Sequence, residues 1–365
     1  MLNIEKKIDH FSCTLKKKSI VFRSNCKIIA LTAGKGFFLE KIQKSKIKDY
    51  WKKYGIHIKN YQWHKICCNL NTFDERYLTY PVFVNQVLPY LNNLDFLRSY
   101  NDKNMLNRLF PDMKQPKILY RDINGKSYDG EYREIHTDLF IKEFLNHDGE
   151  YLIKPSINSG NARGIKLLSV KEKKIILDKK EMSFQDLIKE YKKDFLLQER
   201  LSQTEIFKKI SPNSLSTIGV TTLRWENQFH ILNTYMKFGT GESIIDNMAT
   251  GGLEIGIDTE TGKLKKYALL KNLVFLESHP DSKITFEGIE VPRFDEIISK
   301  AVECHKKLLY FDFVVWDFAL DKNNEIYLIE PNLGAQSVNS LQVNNGPLFG
   351  GLSDEIFEKI FKSKI

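Results

Sequence analysis

Three side chains with oxygen donors lie close together in the C-terminal part of the sequence. Asp317 stands in an apolar segment predicted as a strand, and the next predicted strand ends with Glu330 and Asn332. With a four-residue turn between the strands, Asp317 should lie opposite Leu328, and alternation puts Glu330 and Asn332 on its face. Hard oxygen ligands in this arrangement suit Mg²⁺ that bridges phosphate oxygens. The alternative is a solvated hairpin end, which the aromatic neighbours of Asp317 disfavour.

A second segment, YLIKPSINSGNARGIKLLSV, combines a lysine with a loop of small residues. A strand should deliver Lys154, and the loop that contains Gly160 and Gly164 exposes backbone amides able to cradle phosphates. Another lysine, Lys103, lies in the first turn of a predicted helix. Each feature is weak alone, because a lysine and two glycines occur in many hairpins and helix-start lysines are usually surface residues.

Two further polar segments could face the same ligand. Arg224 lies in a strand with apolar neighbours, where an unpaired guanidinium would be costly. It is therefore either a buried salt bridge or a clamp on a transferring phosphoryl group. A loop after a strand contains Asp246, Asn247, Gly251 and Gly252, and its alternative interpretation is an ordinary glycine turn.

The elements that would position these groups are strands with interspersed helices from about residue 116 onward. This order indicates an α+β, or mixed α/β, fold of enzyme size. Strands are predicted at 118–120, 151–154, 165–170, 195–198, 217–225, 230–238, 255–258, 263–268, 311–320 and 325–330, and helices at 85–96, 103–110, 137–144, 183–191 and 293–309.

Composition narrows the class of protein. Apolar residues make up 42% and charged residues 28% of the 365, which excludes disorder, collagen and coiled coil. The net charge of +9 resides at one end: residues 1–60 hold 15 of the 55 basic and 4 of the 46 acidic residues, so the remainder is slightly acidic. No basic stripe with interleaved aromatics follows residue 60, which argues against nucleic-acid binding.

The cysteines and the apolar stretches bear on the cellular compartment. The five cysteines include no CxxC, so a disulfide framework or a zinc site is not expected. No signal peptide or membrane span is expected either. We therefore expect a soluble, cytoplasmic protein.

In chain order, these segments resemble the ATP-grasp superfamily, and more narrowly the sugar-transfer-associated ATP-grasp subgroup found among surface-polysaccharide genes. The resemblance covers about residues 80–345 and depends on the order and spacing of motifs that are each weak alone. The matching segments are NDKNMLNRLF, the proline at 116, YLIKPSINSGNARGIKLL, FLLQERL, SLSTIGVTTLRW, DNMATGG, WDFAL and IEPN.

The resemblance implies two α+β subdomains that clamp ATP, preceded by a basic N-terminal accessory region. The expected divisions are 1–112 for the accessory, substrate-side region, 113–205 for the small subdomain and 206–365 for the large one. The chain departs from the family pattern in its lid, where Asn161-Ala162-Arg163 replaces glycines, and at Gly219, where similar proteins often carry an arginine.

The resemblance also implies roles for individual residues. ATP would contact phosphate-binding lysines, a lid at 156–164 and a hinge that receives adenine and ribose: Lys103, Lys154, Ser159, Gly160, Arg163, Gln198, Glu199, Leu201 and Glu205. Asp317, Glu330 and Asn332 would bind Mg²⁺. Arg224 and Lys154 would be catalytic, with Arg224 stabilising an acyl phosphate. The loop that carries Asp246, Asn247, Gly251 and Gly252 would face the substrate.

The implied activity is an ATP-dependent carboxylate–amine ligase that modifies a sugar of a cell-surface polysaccharide, such as a capsule, in a bacterial cytoplasm. Its partners would be small or glycan-linked acids and amines. Two alternatives stay open: a kinase that phosphorylates a hydroxyl, and a non-catalytic ATP-binding scaffold. The basic residues 1–60 would be either a solvated face or a docking surface for an acidic glycan or the inner membrane face.

Overall fold

The chain folds into two seven-stranded antiparallel sheets that follow an N-terminal helical region. A computed structural model describes residues 19, 21–157, 159–334 and 338–362. The basic cluster Lys16–Lys18 lies outside the described residues. The mixed α/β fold expected from the sequence is confirmed.

The N-terminal helices pack on the second sheet and do not stand apart from it. The helix α2 has the sequence KIQKSKIKDYWK and buries Ile47, Tyr50 and Trp51 on one face. The Trp51 ring lies 4.9 Å, centroid to centroid, from Phe357 of the C-terminal helix α13. The helices of this region are α1 (21–32), α2 (Lys41–Lys52), α3 (Gln62–Leu70), α4 (Tyr80–Val82), α5 (Leu88–Leu91), α6 (Leu97–Tyr100) and α7 (Leu106–Leu109), with a π-helical turn at Phe83–Val87 between α4 and α5.

The first sheet has the strand order β2-β1-β7-β3-β4-β5-β6. Two helices, α8 (Thr137–Phe144) and α9 (Phe184–Tyr191), cover one face, where Phe144 and Phe184 are buried against Tyr120 and Ile153. The strands are β1 (Ile118–Ile123), β2 (Lys126–Tyr128), β3 (Gly149–Pro155), β4 (Lys166–Lys171), β5 (Lys174–Leu177), β6 (Lys180–Met182) and β7 (Phe195–Glu199).

The second sheet has the order β12-β11-β10-β9-β8-β13-β14 and follows the short helix α10 (Glu205–Ile210). Helix α11 (Phe294–His305) covers one face; the N-terminal helices, α12 (Val338–Asn345) and α13 (Ser353–Lys362) cover the other. The strands are β8 (Thr217–Trp225), β9 (Gln228–Phe238), β10 (Leu253–Ile257), β11 (Leu264–Leu270), β12 (Phe275–Leu276), β13 (Phe313–Leu320) and β14 (Ile326–Asn332).

Strand β13 is buried at every position because both of its faces are covered. Trp316 and Phe318 belong to the core beneath α11, whereas Phe313 and Val315 contact the N-terminal helices. Since side chains alternate along a strand, Asp317 shares the face of Phe313 and Val315. The Asp317 carboxylate therefore lies on the face of the sheet that the N-terminal helices cover.

The register of the β13–β14 hairpin differs from the prediction. Asp317 pairs with Glu330, not with Leu328, which pairs with Phe318. One offset arises because residues 321–325 join the strands, one more than expected, and a second from a bulge at Ile329. A single offset would have moved Glu330 to the opposite face, but two offsets restore the predicted face.

Candidate active site

Asp317, Glu330 and Asn332 meet at the open end of the β13–β14 hairpin, and we call them the carboxylate cluster. The Asn332 Nδ2 donates a hydrogen bond of 3.1 Å to the Asp317 Oδ2. Asp317 is 5% exposed, and the Glu330 side chain is 33% exposed toward the space between the two sheets. The residues predicted as metal ligands are therefore brought together.

Lysines face this cluster from both sides. The Lys103 Nζ lies 3.0 Å from the Glu330 Oε2 and donates to the Ser159 Oγ at 3.1 Å. The Lys237 Nζ lies 2.9 Å from the Asp317 Oδ1. The backbone N–H of Lys103 also donates to the Ser156 carbonyl at 2.9 Å, which ties the start of this helical turn to the loop after β3.

The pKa shifts follow from burial and from these neighbours. Burial, reinforced by the charge of Lys103, lowers the pKa of Lys154 to about 8. Burial raises the pKa of Asp317, although Lys237 opposes that effect. Burial would raise the pKa of Glu330 as well, but the charge and hydrogen bond of Lys103, together with the charges of Lys154 and Lys237, outweigh burial and the pKa is lowered. A cleft that holds several ammonium groups beside two carboxylates is suited to a polyanion.

A cavity of about 930 Å³, which we call the cleft, lies between the sheets. Lys103, Lys154, Ser159 and Gly160 line it from the N-terminal and first-sheet side. From the second sheet, Thr217, Lys237, Asp246, Asn247 and the carboxylate cluster line it. Most of the residues that the sequence singled out therefore border one space.

Thr217 and two glycines shape the loop that presents Asp246. The Thr217 Oγ1 donates to the Asp246 Oδ2 at 2.5 Å, and burial raises the pKa of this carboxyl to about 6. A Cβ at Gly252 would lie 2.2 Å from the Asp246 carbonyl oxygen, so only glycine fits there. Gly251 has a φ of +101°. These glycines do not line the cleft, and their part is to allow the close turn.

Arg224 is not brought to the cleft, which corrects its predicted position. Its Nε donates to the Asp312 Oδ1 at 2.7 Å, and its Nη2 donates to the Leu309 carbonyl at 2.8 Å. It lies five residues along β8 from Gly219, which pairs with Asp317, a distance of roughly 17 Å along the strand. The salt-bridge interpretation describes Arg224, and a clamp on a phosphoryl group at the carboxylate cluster does not.

The predicted hinge residues lie where the chain passes from the first sheet to the second. Gln198 is buried within β7, and the Glu199 Oε1 lies 3.1 Å from the Lys117 Nζ. Leu201 is half-buried, and Glu205 is exposed at the start of α10. None of the four lines the cleft as the described residues form it.

Arg163 and Gln203 also lie outside the cleft lining. The exposed Arg163 donates from its Nε to the Gly160 carbonyl at 3.2 Å. Gln203, which the sequence reading missed, donates to the Ser211 and Ser214 carbonyls at 2.7 and 2.8 Å. Gln203 therefore holds the segment between the sheets in place.

Lys237 is the functional candidate that the sequence reading overlooked. It pairs with Thr217 across β8 and β9, so its side chain reaches Asp317 from a strand not flagged by any motif. The sequence does contain one sign of this role, a lysine between the apolar residues Met236 and Phe238 of a predicted strand. Nearby, a Cβ on Gly219 would lie 2.0 Å from the Tyr235 ring, so glycine at this position lets Tyr235 pack across β8.

Two antiparallel sheets that enclose a cleft lined by lysines from both sides and by carboxylates of the second sheet define an α/β protein whose cleft carries charges suited to a polyanion. The chain belongs to the sugar-transfer-associated ATP-grasp family, whose sequence model matches residues 92–356. No curated protein matches the sequence. Among the described residues, no helix has the length and apolarity that crossing a membrane requires.

Solved structures with a similar chain path are ligases of low sequence identity. D-alanine–D-alanine ligase from Bacillus anthracis is 14% identical over 73% of this chain and 70% of its own, with a TM-score of 0.39. D-alanyl-alanine synthetase A from Vibrio cholerae is 12% identical over 72% and 66%, with a TM-score of 0.42. L-amino acid ligase from Bacillus licheniformis is 10% identical over 71% and 48%, with a TM-score of 0.37. The chain thus spans about half the length of the last of these, and the family assignment rests on the sequence match.

Proposed function

We propose that this protein is an ATP-dependent carboxylate–amine ligase. The observation that carries the proposal is the meeting of Lys103 and Lys154 with Asp317 and Glu330 across one cleft. Membership of the sugar-transfer-associated ATP-grasp family supports a sugar or sugar precursor of a surface polysaccharide, such as a capsule, as the substrate. The reaction would take place in the bacterial cytoplasm, where ATP is available.

The carboxylate cluster fits a hard divalent cation. Within the described part of the chain, no group of three or more His, Cys, Asp or Glu is placed to hold a metal. The candidate donors in the cluster are the carboxylates of Asp317 and Glu330 and the amide oxygen of Asn332, a set that suits Mg²⁺. When bound, Mg²⁺ would neutralise charge on the phosphates of ATP.

The proposed reaction has two balanced steps. An oxygen of the substrate carboxylate forms a bond to the γ-phosphorus while the bond to ADP breaks, which yields an acyl phosphate. The amine nitrogen then bonds to the acyl carbon, the carbon–oxygen bond to phosphate breaks, and the nitrogen loses a proton. The products are an amide, ADP and phosphate.

The residues of the chain contribute position and charge to these steps. Lys103 and Lys154 hold the phosphates, and their fixed charges stabilise negative charge that develops on the transferring group. Ser159 orients Lys103 through the 3.1 Å hydrogen bond. Lys237 sets the side chain of Asp317 toward the cleft through the 2.9 Å ion pair.

A matrix of acids and amines, assayed by phosphate release with ATP and Mg²⁺, tests the proposal. We expect release that requires both an acid and an amine, its loss in Asp317→Asn, and its reduction in Glu330→Gln at the Mg²⁺ concentration that saturates the unaltered protein. The matched control is Glu277→Gln, which removes an exposed carboxylate 3.6 Å from the Lys266 Nζ, far from these residues in the sheet.

Three results would count against the ligase. Failure of Mg²⁺ and ATP to bind by calorimetry would refute nucleotide use. A stable phosphorylated product without an amine would establish a kinase. Full activity in cells of the Asp317→Asn variant would indicate a scaffold that does not catalyse.

A further inference from the structure

A second cavity adjoins the cleft on the N-terminal side of the second sheet. Its volume is about 570 Å³, within the range of roughly 300–1,000 Å³ typical of small-molecule sites. It lies between α1, α3 and α12 and the strands β9 to β11. Tyr235, Lys237 and Asn247 line both spaces, so the two adjoin at the Lys237–Asp317 pair. We call it the side cavity.

One side of the side cavity is cationic. Arg23 and Lys27 are one helical turn apart on α1, and Lys271 follows β11. Within the described part of the chain, no carboxylate lies within ion-pair distance of these three groups. The Lys271 Nζ makes a long contact of 3.4 Å with the Ala249 carbonyl. Three cations at one cavity that have no counter-charge among the described residues favour an anionic group on the ligand.

The wall nearest the cleft instead carries an acid. Glu254 of β10 is 6% exposed and pairs in register with Lys237 of β9. Its Oε1 accepts a hydrogen bond of 3.1 Å from the Asn344 Nδ2. Glu254 is the only carboxylate among the described residues that line this cavity, and it lies beside Lys237, which lines both spaces.

The remaining wall is flat and apolar. The rings of Trp63 and Tyr80 stack with centroids 6.0 Å apart and an interplanar angle of 24°. Ile28 and Leu31 of α1 complete this wall. The cavity thus offers an acid at its inner end beside Lys237, whose charge is paired with Asp317, three further cations at its outer end and an apolar surface between them.

We propose that the side cavity binds the amine substrate, and that this amine also carries a carboxylate or phosphate group. Its ammonium is held at Glu254 beside the cleft, and its anionic group is held by Arg23, Lys27 and Lys271. A substrate presented as a carboxylate at the inner end would face the like charge of Glu254, while Lys237 beside it is already paired with Asp317 at 2.9 Å, and this favours the amine there. The assignment rests on the proposed ligase function. Because α1 precedes the family match at 92–356, this part of the specificity belongs to the N-terminal region.

Direct binding tests the cavity without requiring turnover. Calorimetry with the full chain, ADP and Mg²⁺ compares glucosamine 6-phosphate with glucosamine and glycine with methylamine, so the two pairs distinguish phosphate from carboxylate. In at least one pair, we expect the anionic member to bind more tightly by about tenfold to a hundredfold. The Arg23→Ala/Lys27→Ala variant should abolish that difference, because it removes two of the three cations proposed to hold the anionic group. Both side chains are exposed, so their loss leaves the core intact.

Matched variants separate the cavity from general charge effects. Lys48→Ala removes an exposed lysine of α2 that does not line the cavity and should change no affinity. Glu254→Gln should weaken both members of a pair, while ATP binding stays unchanged. Equal affinity for the amines with and without an anionic group, binding of neither, or an unchanged preference in the double variant would overturn the assignment.

The two proposals fail in different ways. If the anionic amine binds through Arg23 and Lys27 but no amine-dependent phosphate release follows, the ligase function fails and the cavity assignment stands. If the double variant forms the amide from an amine with an anionic group at an unchanged KM, the cavity assignment fails and the ligase stands.

Discussion

Replacing Lys237 with methionine removes the cation that lies 2.9 Å from Asp317 and keeps a side chain of similar length. The two side chains are only 15% and 7% exposed, so the pair counts as buried. Removing one partner of a buried pair typically costs about 3–5 kcal/mol, because the other charge stays in the interior. Asp317 keeps its hydrogen bond from Asn332, so we expect the lower value, about 3 kcal/mol.

The loss of unfolding free energy in Lys237→Met can be expressed as a decrease in melting temperature. At about 2.1 cal/mol/K per residue, 365 residues have an unfolding entropy of about 0.8 kcal/mol/K, so the melting temperature should fall by about 4 °C. Differential scanning calorimetry at about pH 7.5 measures it. Lys266→Met, at an exposed pair with Glu277, should change the unfolding free energy by less than about 1 kcal/mol.

The loss of stability in Lys237→Met should depend on pH. Burial raises the pKa of Asp317 above its unfolded value, and loss of Lys237 raises it further. The folded variant therefore binds a proton at Asp317 more readily than the unfolded chain does. Its stability falls as pH rises from the unfolded pKa of Asp317 through the higher folded pKa, and it recovers as pH falls. We expect a smaller deficit near pH 5.5 than near pH 7.5. A melting temperature within about 1 °C of the unaltered protein at both values would refute the account of this pair.

Further predictions concern single side chains of the cleft and its surroundings. ATP binding, measured by calorimetry, should weaken as pH rises through about 8, where Lys154 loses its proton, and Lys154→Arg should remove that dependence. Glu330→Gln should raise the Mg²⁺ concentration for half-maximal phosphate release by about tenfold or more. Gly219→Ala should destabilise the protein by about 1–3 kcal/mol in denaturant titrations, since its Cβ would overlap the Tyr235 ring. Arg224→Met should lower stability by about 1 kcal/mol or less while leaving kcat and KM unchanged, because it pairs away from the cleft.

The chemistry-bearing segments could be found from the sequence because each is local. Asp317 within an apolar strand, a lysine before a glycine-containing loop and the order of the motifs were all visible, and the family match confirms the resemblance drawn from them. The mixed α/β fold was predictable for the same reason, since strand and helix patterns repeat over short distances. The roles of the individual cleft residues stay predictions.

Positions that depend on distant partners could not be found in this way. The sequence leaves a salt bridge and a phosphoryl clamp open for Arg224, and the family resemblance implies the clamp; Asp312 lies beside Arg224 only after β13 pairs with β8. Lys237 belongs to no motif, and only the pairing of β9 with β8 brings it to Asp317. The predicted hairpin register was wrong because the longer connection and the bulge leave no clear signal in the sequence.

The sequence by itself determined which residues can carry charge, which strands hold them and which family the chain belongs to, because these depend on residue type and on short-range order. Tertiary structure alone decided which charges face one another. It brought Lys103 and Glu330 within 3.0 Å and placed α1 beside the sheet to complete the side cavity. The physical reason is that ion pairs and cavity walls form between segments far apart in the chain, where strand pairing and core packing set the distances.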